Sequence, residues 1–219
     1  MRPRTRRIAW TAAVVLILLV TLGWPILAGV AFHFAPVSWT GEADRLAAVL
    51  ALRPGARVAE VGAGTGWLAV EMARRVGPEG RLYATELSED RLKDLHALAA
   101  DSGLSQLEIV RAEEDAPGLP PGCCDALYMR NVAHHLSDLG RYAAEVRKVL
   151  RPGGKVVVID FVPGALFHLA GDHGVTRDAI LAAFSPQGFV VEQEIEDWGG
   201  GMYLLALRLE KASLLAKTL

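Results

Sequence analysis

Val58-Ala59-Glu60-Val61-Gly62-Ala63-Gly64-Thr65-Gly66 decides the fold of this chain. The short apolar run Arg57–Val61 reads as a strand that ends in an acid, Glu60, and opens into glycines at alternate positions. Glycine adopts positive φ without steric cost and lets the backbone approach a ligand closely. The helix that follows, through about Arg75, presents N–H groups at its start that can bind polar or anionic ligand atoms. A dinucleotide-binding loop wants G-x-G-x-x-G, which would put glycine at Trp67. The loop here is G-x-G-x-G and departs from that pattern by one position.

Outward from the loop, strands and helices alternate. Upstream, Thr40 or Gly41 can cap a helix over Glu42–Leu52 with Leu46, Val49 and Leu50 on one face, ended by Pro54-Gly55. Downstream come a strand at Arg81–Thr85, a helix Glu89–Ala100 capped by Ser88, and a strand Leu107–Arg111. After a Pro/Gly-rich loop, Asp125–Met129 reads as strand, Asp138–Leu150 as helix and Lys155–Phe161 as a buried β-branched strand. Thr176 caps a helix to about Phe184, and strands Phe189–Glu196 and Met202–Leu209 close the domain around a Trp198–Gly201 turn. Such alternation implies an α/β fold with a largely parallel sheet and right-handed crossovers, while the last two strands form an antiparallel hairpin at one edge.

The strand ends carry the chemistry. Leu82-Tyr83-Ala84-Thr85-Glu86 puts an acid at the carboxyl end of the second strand, where it can accept both ribose hydroxyls of a nucleoside. The third strand ends Val110-Arg111-Ala112-Glu113-Glu114. Then follow Leu119-Pro120-Pro121-Gly122, Asn131-Val132-Ala133-His134-His135-Leu136, and Val149-Leu150-Arg151-Pro152-Gly153-Gly154-Lys155.

In order, spacing and strand context these motifs resemble the class I S-adenosylmethionine-dependent methyltransferase family, from about Glu42 to Leu209. The resemblance implies a Rossmann-like, seven-stranded, mostly parallel sheet with an antiparallel C-terminal hairpin, and S-adenosyl-L-methionine as cofactor. It implies cofactor-binding positions at Glu60, Gly62, Ala63, Gly64, Thr65, Gly66, Glu86, Leu87, Ala112, Glu113, Glu114, Arg130 and Asn131. Glu113 takes the place of the acid that accepts from the adenine amino group, with Glu114 as competitor. The chain is also similar to a bacterial subgroup with N-terminal export or anchor segments. There the fifth strand leads into Asp-Phe and a His precedes the next helix, as in Asp160-Phe161 and His173. Gly174 stands where that subgroup usually has Arg, and Asn131 where its fourth strand often ends in Asp.

Methyl transfer is displacement at a carbon that the cofactor has already activated, so the protein mainly positions the acceptor. A base is needed only if the acceptor must lose a proton. Candidates at the carboxyl ends of strands four and five are Tyr128, Arg130, Asn131, His134, His135, Asp160, His168 and His173, with His134, His135 and His173 foremost as catalytic residues. Against this, a His-His-Leu turn commonly opens the helix after strand four for packing and capping.

The N-terminus is of another kind. Arg2, Arg4, Arg6 and Arg7 precede an apolar stretch with no charged side chain from Ile8 to Thr40. As a helix rising about 1.5 Å per residue it can cross a hydrocarbon core of about 30 Å. Pro25 would kink it, and Trp10 and Trp24 suit the interfaces. Residues 1–34 are therefore expected to be a membrane anchor or signal segment, and 35–219 the catalytic domain. As a retained anchor, a single pass through a bacterial inner membrane, the arginines stay in the cytoplasm. As a signal peptide they form its n-region, with Gly29-Val30-Ala31 near the cleavage point. A buried soluble helix is the third reading, and Thr5-Arg6-Arg7 matches a twin-arginine signal weakly. One span delivers the domain outside, whereas the cofactor is made in the cytosol; a hairpin at Gly23–Pro25 would remove the conflict.

The 219 residues accommodate one domain and an appendage. A net charge of -2 and a pI near 6.3 supply no basic footprint for nucleic acid. Strand four also lacks the Asn/Asp-Pro-Pro-aromatic run of base methylation. Mean hydropathy is +0.26, with the excess between Ile8 and Phe34. Cys123 and Cys124 are adjacent, too close for an unstrained disulfide and without zinc or redox spacing, so they read as two small packed residues and no metal is expected. Arsenite methylation would want dispersed cysteines. The expected function is methylation of a small-molecule or lipid-like acceptor near a membrane, against a non-catalytic nucleoside-binding module and a membrane-anchored interaction domain.

Overall fold

The computed structural model describes residues 39–164 and 174–211. The expected anchor or signal segment, His168 and His173 lie outside the described residues. Two units divide the chain, Met1–Ser38 and Trp39–Leu219. Among the described residues, no helix is long and apolar enough to cross a membrane.

Helix α1 (Trp39–Val49) leads into β1 (Arg57–Val61), α2 (Trp67–Val76), β2 (Arg81–Glu86), α3 (Glu89–Ser102) and β3 (Leu107–Arg111). Then follow β4 (Cys124–Arg130), a 3-10 turn at Ala133–His135, α4 (Leu139–Val149), β5 (Leu150–Phe161), α5 (Arg177–Phe184), β6 (Phe189–Gly199) and β7 (Met202–Leu209). The sheet has seven strands in the order β3-β2-β1-β4-β5-β7-β6. β7 runs antiparallel to both its neighbours, and every other pairing is parallel.

Burial accounts for this order. In β4, Ala126 to Met129 are all buried, as are Met202 to Leu207 of β7, so these strands sit centrally with helices on both faces. One face packs Ala43 and Leu46 of α1, Ala69, Met72 and Ala73 of α2 and Leu95 of α3. The other packs Tyr142, Ala143 and Val146 of α4 with Ile180 and Phe184 of α5. β6 alternates Glu192, Glu194 and Glu196 along an exposed edge, a charge pattern that discourages pairing with another chain.

The expected strands and helices form, with shifted boundaries. α1 starts at Trp39, ahead of the expected Thr40 or Gly41 cap. β5 opens at Leu150 instead of Lys155 because Leu150 pairs with Cys124 across a register shift. β6 reaches Gly199, which pairs with Met202, so the turn shrinks to Gly200-Gly201 with φ of 63° and 74°. Thr176 caps α5 as expected, its hydroxyl accepting from the Ala179 N–H at 3.1 Å. Ser88 stands at the start of α3 without a side-chain cap bond. The Glu86 carboxylate accepts the backbone N–H groups of Leu87 and of Ser88 itself.

Leu205, fully buried in β7, tests how far the C-terminal hairpin belongs to the core. Leu205→Ala is expected to lower stability by about 3 kcal/mol in urea unfolding, against less than about 0.5 kcal/mol for exposed Lys93→Ala.

Candidate functional site

β1 pairs with β2 on one side and with β4 on the other, so the connections diverge between β1 and β4. In open α/β sheets ligands bind in the crevice at such a point, outside the carboxyl ends of the strands. A cavity of about 560 Å³ opens there. It is lined by Gly62 after β1, Glu86 and Leu87 after β2, Ala112, Glu113 and Glu114 after β3, and Asn131, Val132 and His135 after β4.

The glycine loop explains itself residue by residue. Gly62, Gly64 and Gly66 have φ of 68°, 57° and 77°. A Cβ on Gly62 would lie 2.6 Å from Cγ2 of Val132, so this glycine lets the loop after β4 close against the loop after β1. A Cβ on Gly66 would meet the Leu95 and Leu98 side chains of α3 at 2.5 and 2.7 Å. At Gly64 it would lie 3.1 Å from Nη1 of Arg91, which also lines the cavity. Gly62 and Gly66 therefore serve packing as well as conformation. Ala63 is buried, its N–H bound to the Thr85 carbonyl at 2.9 Å, and Thr65 is exposed; neither lines the cavity.

Glu86 joins two strand ends. Its Oε2 accepts the Gly64 N–H at 3.0 Å, and Oε1 accepts those of Leu87 and Ser88 at 2.9 and 3.0 Å. A carboxylate offers about four acceptor positions, so three backbone donors leave it capacity for a ligand hydroxyl. Leu87 beside it is 48% exposed, an apolar surface at the cavity wall. Ala112 is tied to the Glu86 carbonyl at 2.9 Å, which brings Glu113 and Glu114 alongside.

Glu60 lies behind the loop, buried, with Oε2 lacking a hydrogen-bond partner. The ladder sets it opposite Tyr128, whose hydroxyl is likewise buried and unsatisfied. Burial pushes the Glu60 carboxyl up to about 8. Tyr128 and Arg130 act to lower it, while Glu42 and Glu86 add to the rise.

Arg130 and His134 are engaged elsewhere. Arg130 Nε donates to Oε1 of Glu42 at 2.7 Å, so its place is an ion pair with α1 and not the cavity wall. Trp198 Nε1 donates to the same oxygen at 3.0 Å, and Arg45 lies over the Trp198 ring at 3.9 Å. His134 Nδ1 lies 2.7 Å from Oδ1 of Asp160, whose Oδ2 accepts the His134 N–H at 3.3 Å. His134 and His135 are in ring contact at 4.0 Å, but only His135 lines the cavity. Asn131, at φ 55°, buries an unsatisfied Oδ1.

Sequence reasoning missed Glu42, Arg91 and Tyr142. Glu42 had a signal, since it shares an i, i+4, i+8 stripe with Leu46 and Leu50, and an acid on an apolar stripe invites a partner. Arg91 and Tyr142 join the cavity only through the tertiary approach of α3 and α4. Among the described residues, no cluster of His, Cys, Asp and Glu could hold a metal ion.

Residues 59–158 match the family model described as a methyltransferase domain. A ubiquinone/menaquinone biosynthesis C-methyltransferase UbiE from Bordetella parapertussis is 36% identical over 111 residues, 51% of this chain and 43% of that protein. Its namesake from Ralstonia pickettii is 32% identical, covering 51% and 45%. The chain thus spans less than half the length of these curated relatives. In fold it resembles an S-adenosylmethionine-dependent methyltransferase from Aquifex aeolicus, at TM-score 0.71 and 20% identity over 76% of this chain and 89% of that one. It also resembles the cyclase SpnF, at 0.66 and 18% over 78% and 81%, so the fold by itself does not specify the reaction. The matched segment is similar to a methyltransferase domain, and the fold to that of S-adenosylmethionine-dependent methyltransferases. S-adenosyl-L-methionine is the cofactor they indicate. The residues fit it: acids at the ends of β1, β2 and β3, an exposed Leu87, and orphaned buried oxygens on Glu60 and Asn131.

An acid raised in the folded state holds its proton more tightly there than in the unfolded chain. Its stabilising effect is complete below the unfolded value of 4.5 and is lost as pH rises through about 8. Unliganded protein is therefore expected to lose stability across that window, by at most about 5 kcal/mol. In Glu60→Gln the thermal midpoint should vary less with pH; equal slopes for the two proteins would contradict the assignment.

Proposed function

We propose that the chain is an S-adenosylmethionine-dependent methyltransferase whose acceptor is a small or lipid-like molecule near a membrane. The observation that carries this reading is the convergence of four consecutive strand ends of the parallel sheet on one cavity: Gly62, Glu86 with Leu87, Glu113, and Asn131. In the reading, Glu86 holds the ribose, Leu87 packs against adenine, Glu113 accepts from its amino group, and the methionine end points toward Glu60 and Asn131. The cofactor supplies an activated methyl group on sulfur, and the protein's work is to orient and to exclude water.

Two features favour a lipid-like acceptor. The relatives from Bordetella and Ralstonia are named for ubiquinone and menaquinone biosynthesis. The apolar run after Arg7 suits a membrane location, which concentrates enzyme and acceptor on one surface. His135, on the cavity wall, is the first candidate for contact with the acceptor, and His134 is the residue that positions it.

Calorimetric titration with S-adenosylmethionine is expected to give one site per chain, weakened at least about ten-fold in Glu86→Ala. Because Glu86 also holds Gly64, Leu87 and Ser88, the variant's circular dichroism and melting are recorded first. Unchanged affinity in a folded variant removes the proposed pocket. Incubating membranes with methyl-labelled cofactor then tests the acceptor. Label in the organic extract supports a lipid-like substrate, label confined to water-soluble products overturns it, and binding without any transfer leaves a non-catalytic module.

A further inference from the structure

Cys123 and Cys124 lie at the amino end of β4, away from the cofactor cavity at its carboxyl end, and the function proposed above makes no use of them. Both are free thiols. As a sequence they read as two small packed residues; in the structure their sulfurs lie 3.0 Å apart, Cys124 fully buried and Cys123 9% exposed.

The surroundings hold this pair in place. The Arg151 guanidinium spans it, donating from Nε to the Gly122 carbonyl at 3.2 Å and from Nη1 to Oδ1 of Asp125 at 2.6 Å. The Arg57 N–H binds the other Asp125 oxygen at 2.8 Å. Cys124 as hydrogen-bond partner lowers the Cys123 thiol below its ordinary value, with Arg151 and Arg57 acting in the same direction. The same contact and burial raise Cys124. Of the two sulfurs, Cys123 is thereby the more readily ionised, the order expected of an attacking and a resolving cysteine. The ladder between β4 and β5 shifts register just after Cys124, which pairs with Leu150, so continuous regular pairing starts only at Ala126.

We propose that Cys123 and Cys124 form a reversible thiol–disulfide site oxidised by hydroperoxides. The Cys123 thiolate attacks the peroxide O–O bond, forming S–O and releasing an alcohol or water once the departing oxygen takes up a proton. The Cys124 sulfur then attacks Cys123, forming S–S, breaking S–O and expelling water as its own proton is lost. The two thiols give up two electrons, and the hydroperoxide accepts them. Adjacent Cα atoms stand about 3.8 Å apart across a trans peptide, short of the about 4.4–6.8 Å of relaxed disulfides. The product is therefore strained and easily reduced, the property of a labile rather than a structural bond.

The test uses the full chain, reduced, treated with hydrogen peroxide, denatured in N-ethylmaleimide and weighed intact. The expected product has lost two hydrogens, carries no maleimide, runs as a single chain on a non-reducing gel and returns to two maleimide adducts after dithiothreitol. Two adducts without dithiothreitol, added oxygens on Cys123, or a disulfide between chains would each overturn the proposal. Cys124→Ser should leave a sulfenic acid on Cys123 that dimedone captures, and its absence from a folded variant counts against Cys123 as the attacking thiol. Should that variant not fold, the mass of the native chain still decides.

Discussion

The pairing of β1 with β4 is the constraint on which the rest depends. Val58 to Val61 lie in register with Ala126 to Met129, and this ladder joins the two halves of the sheet where the chain changes direction. Its carboxyl end must let two loops diverge while remaining close-packed. Gly62 meets that need, since any larger residue would strike Val132, and the positive φ there turns the chain away from the strand axis. The cavity is thus a consequence of topology, and the side chains that line it arrive because each strand ends beside it.

The same ladder creates an electrostatic problem. It sets Glu60 against Tyr128 in an interior that already holds Glu42 and Glu86. Burying an unpaired carboxylate is costly, so such a group keeps its proton instead. Arg130 is a cation that acts on Glu60, but Glu42 engages it at 2.7 Å, and Trp198 shares the same carboxylate. A ligand with a cationic group near Glu60 would relieve that imbalance. Glu60 Oε2 and Asn131 Oδ1 are buried oxygens left without a partner at this end of the ladder.

How much of this was legible depends on whether the information is local. The glycine loop, the acids ending β1, β2 and β3 and the Thr176 cap are written in short windows, because strand ends and caps depend on a few neighbouring residues. The largely parallel sheet and its antiparallel terminal hairpin follow from alternation and a short last turn, whereas the strand order, with β7 between β5 and β6, does not. What stayed hidden is non-local. Arg130 sits beside Asn131 in sequence, yet its guanidinium turns to Glu42, eighty-eight residues away. Ser88 has the chemistry of a cap but makes no side-chain cap bond, and its own N–H is held by Glu86, two residues earlier. Adjacent Cys123 and Cys124 give no sign in sequence of Arg151, which β5 brings to the flanking Gly122 carbonyl and Asp125 carboxylate.

His134 and His135 carry that distinction into the site. As neighbours in sequence they are equivalent candidates, and the turn places both rings in contact. Asp160 breaks the equivalence. Fully buried at the end of β5, it takes the His134 ring and backbone together and also holds the Phe161 N–H at 2.8 Å. His134 is thereby fixed to the sheet, and His135, at 4.0 Å from it, is left on the cavity wall. A buried carboxylate that orients one imidazole behind another residue's working surface is a positioning device. Its effect is to tie the loop after β4, with Asn131 at its start, to the end of β5.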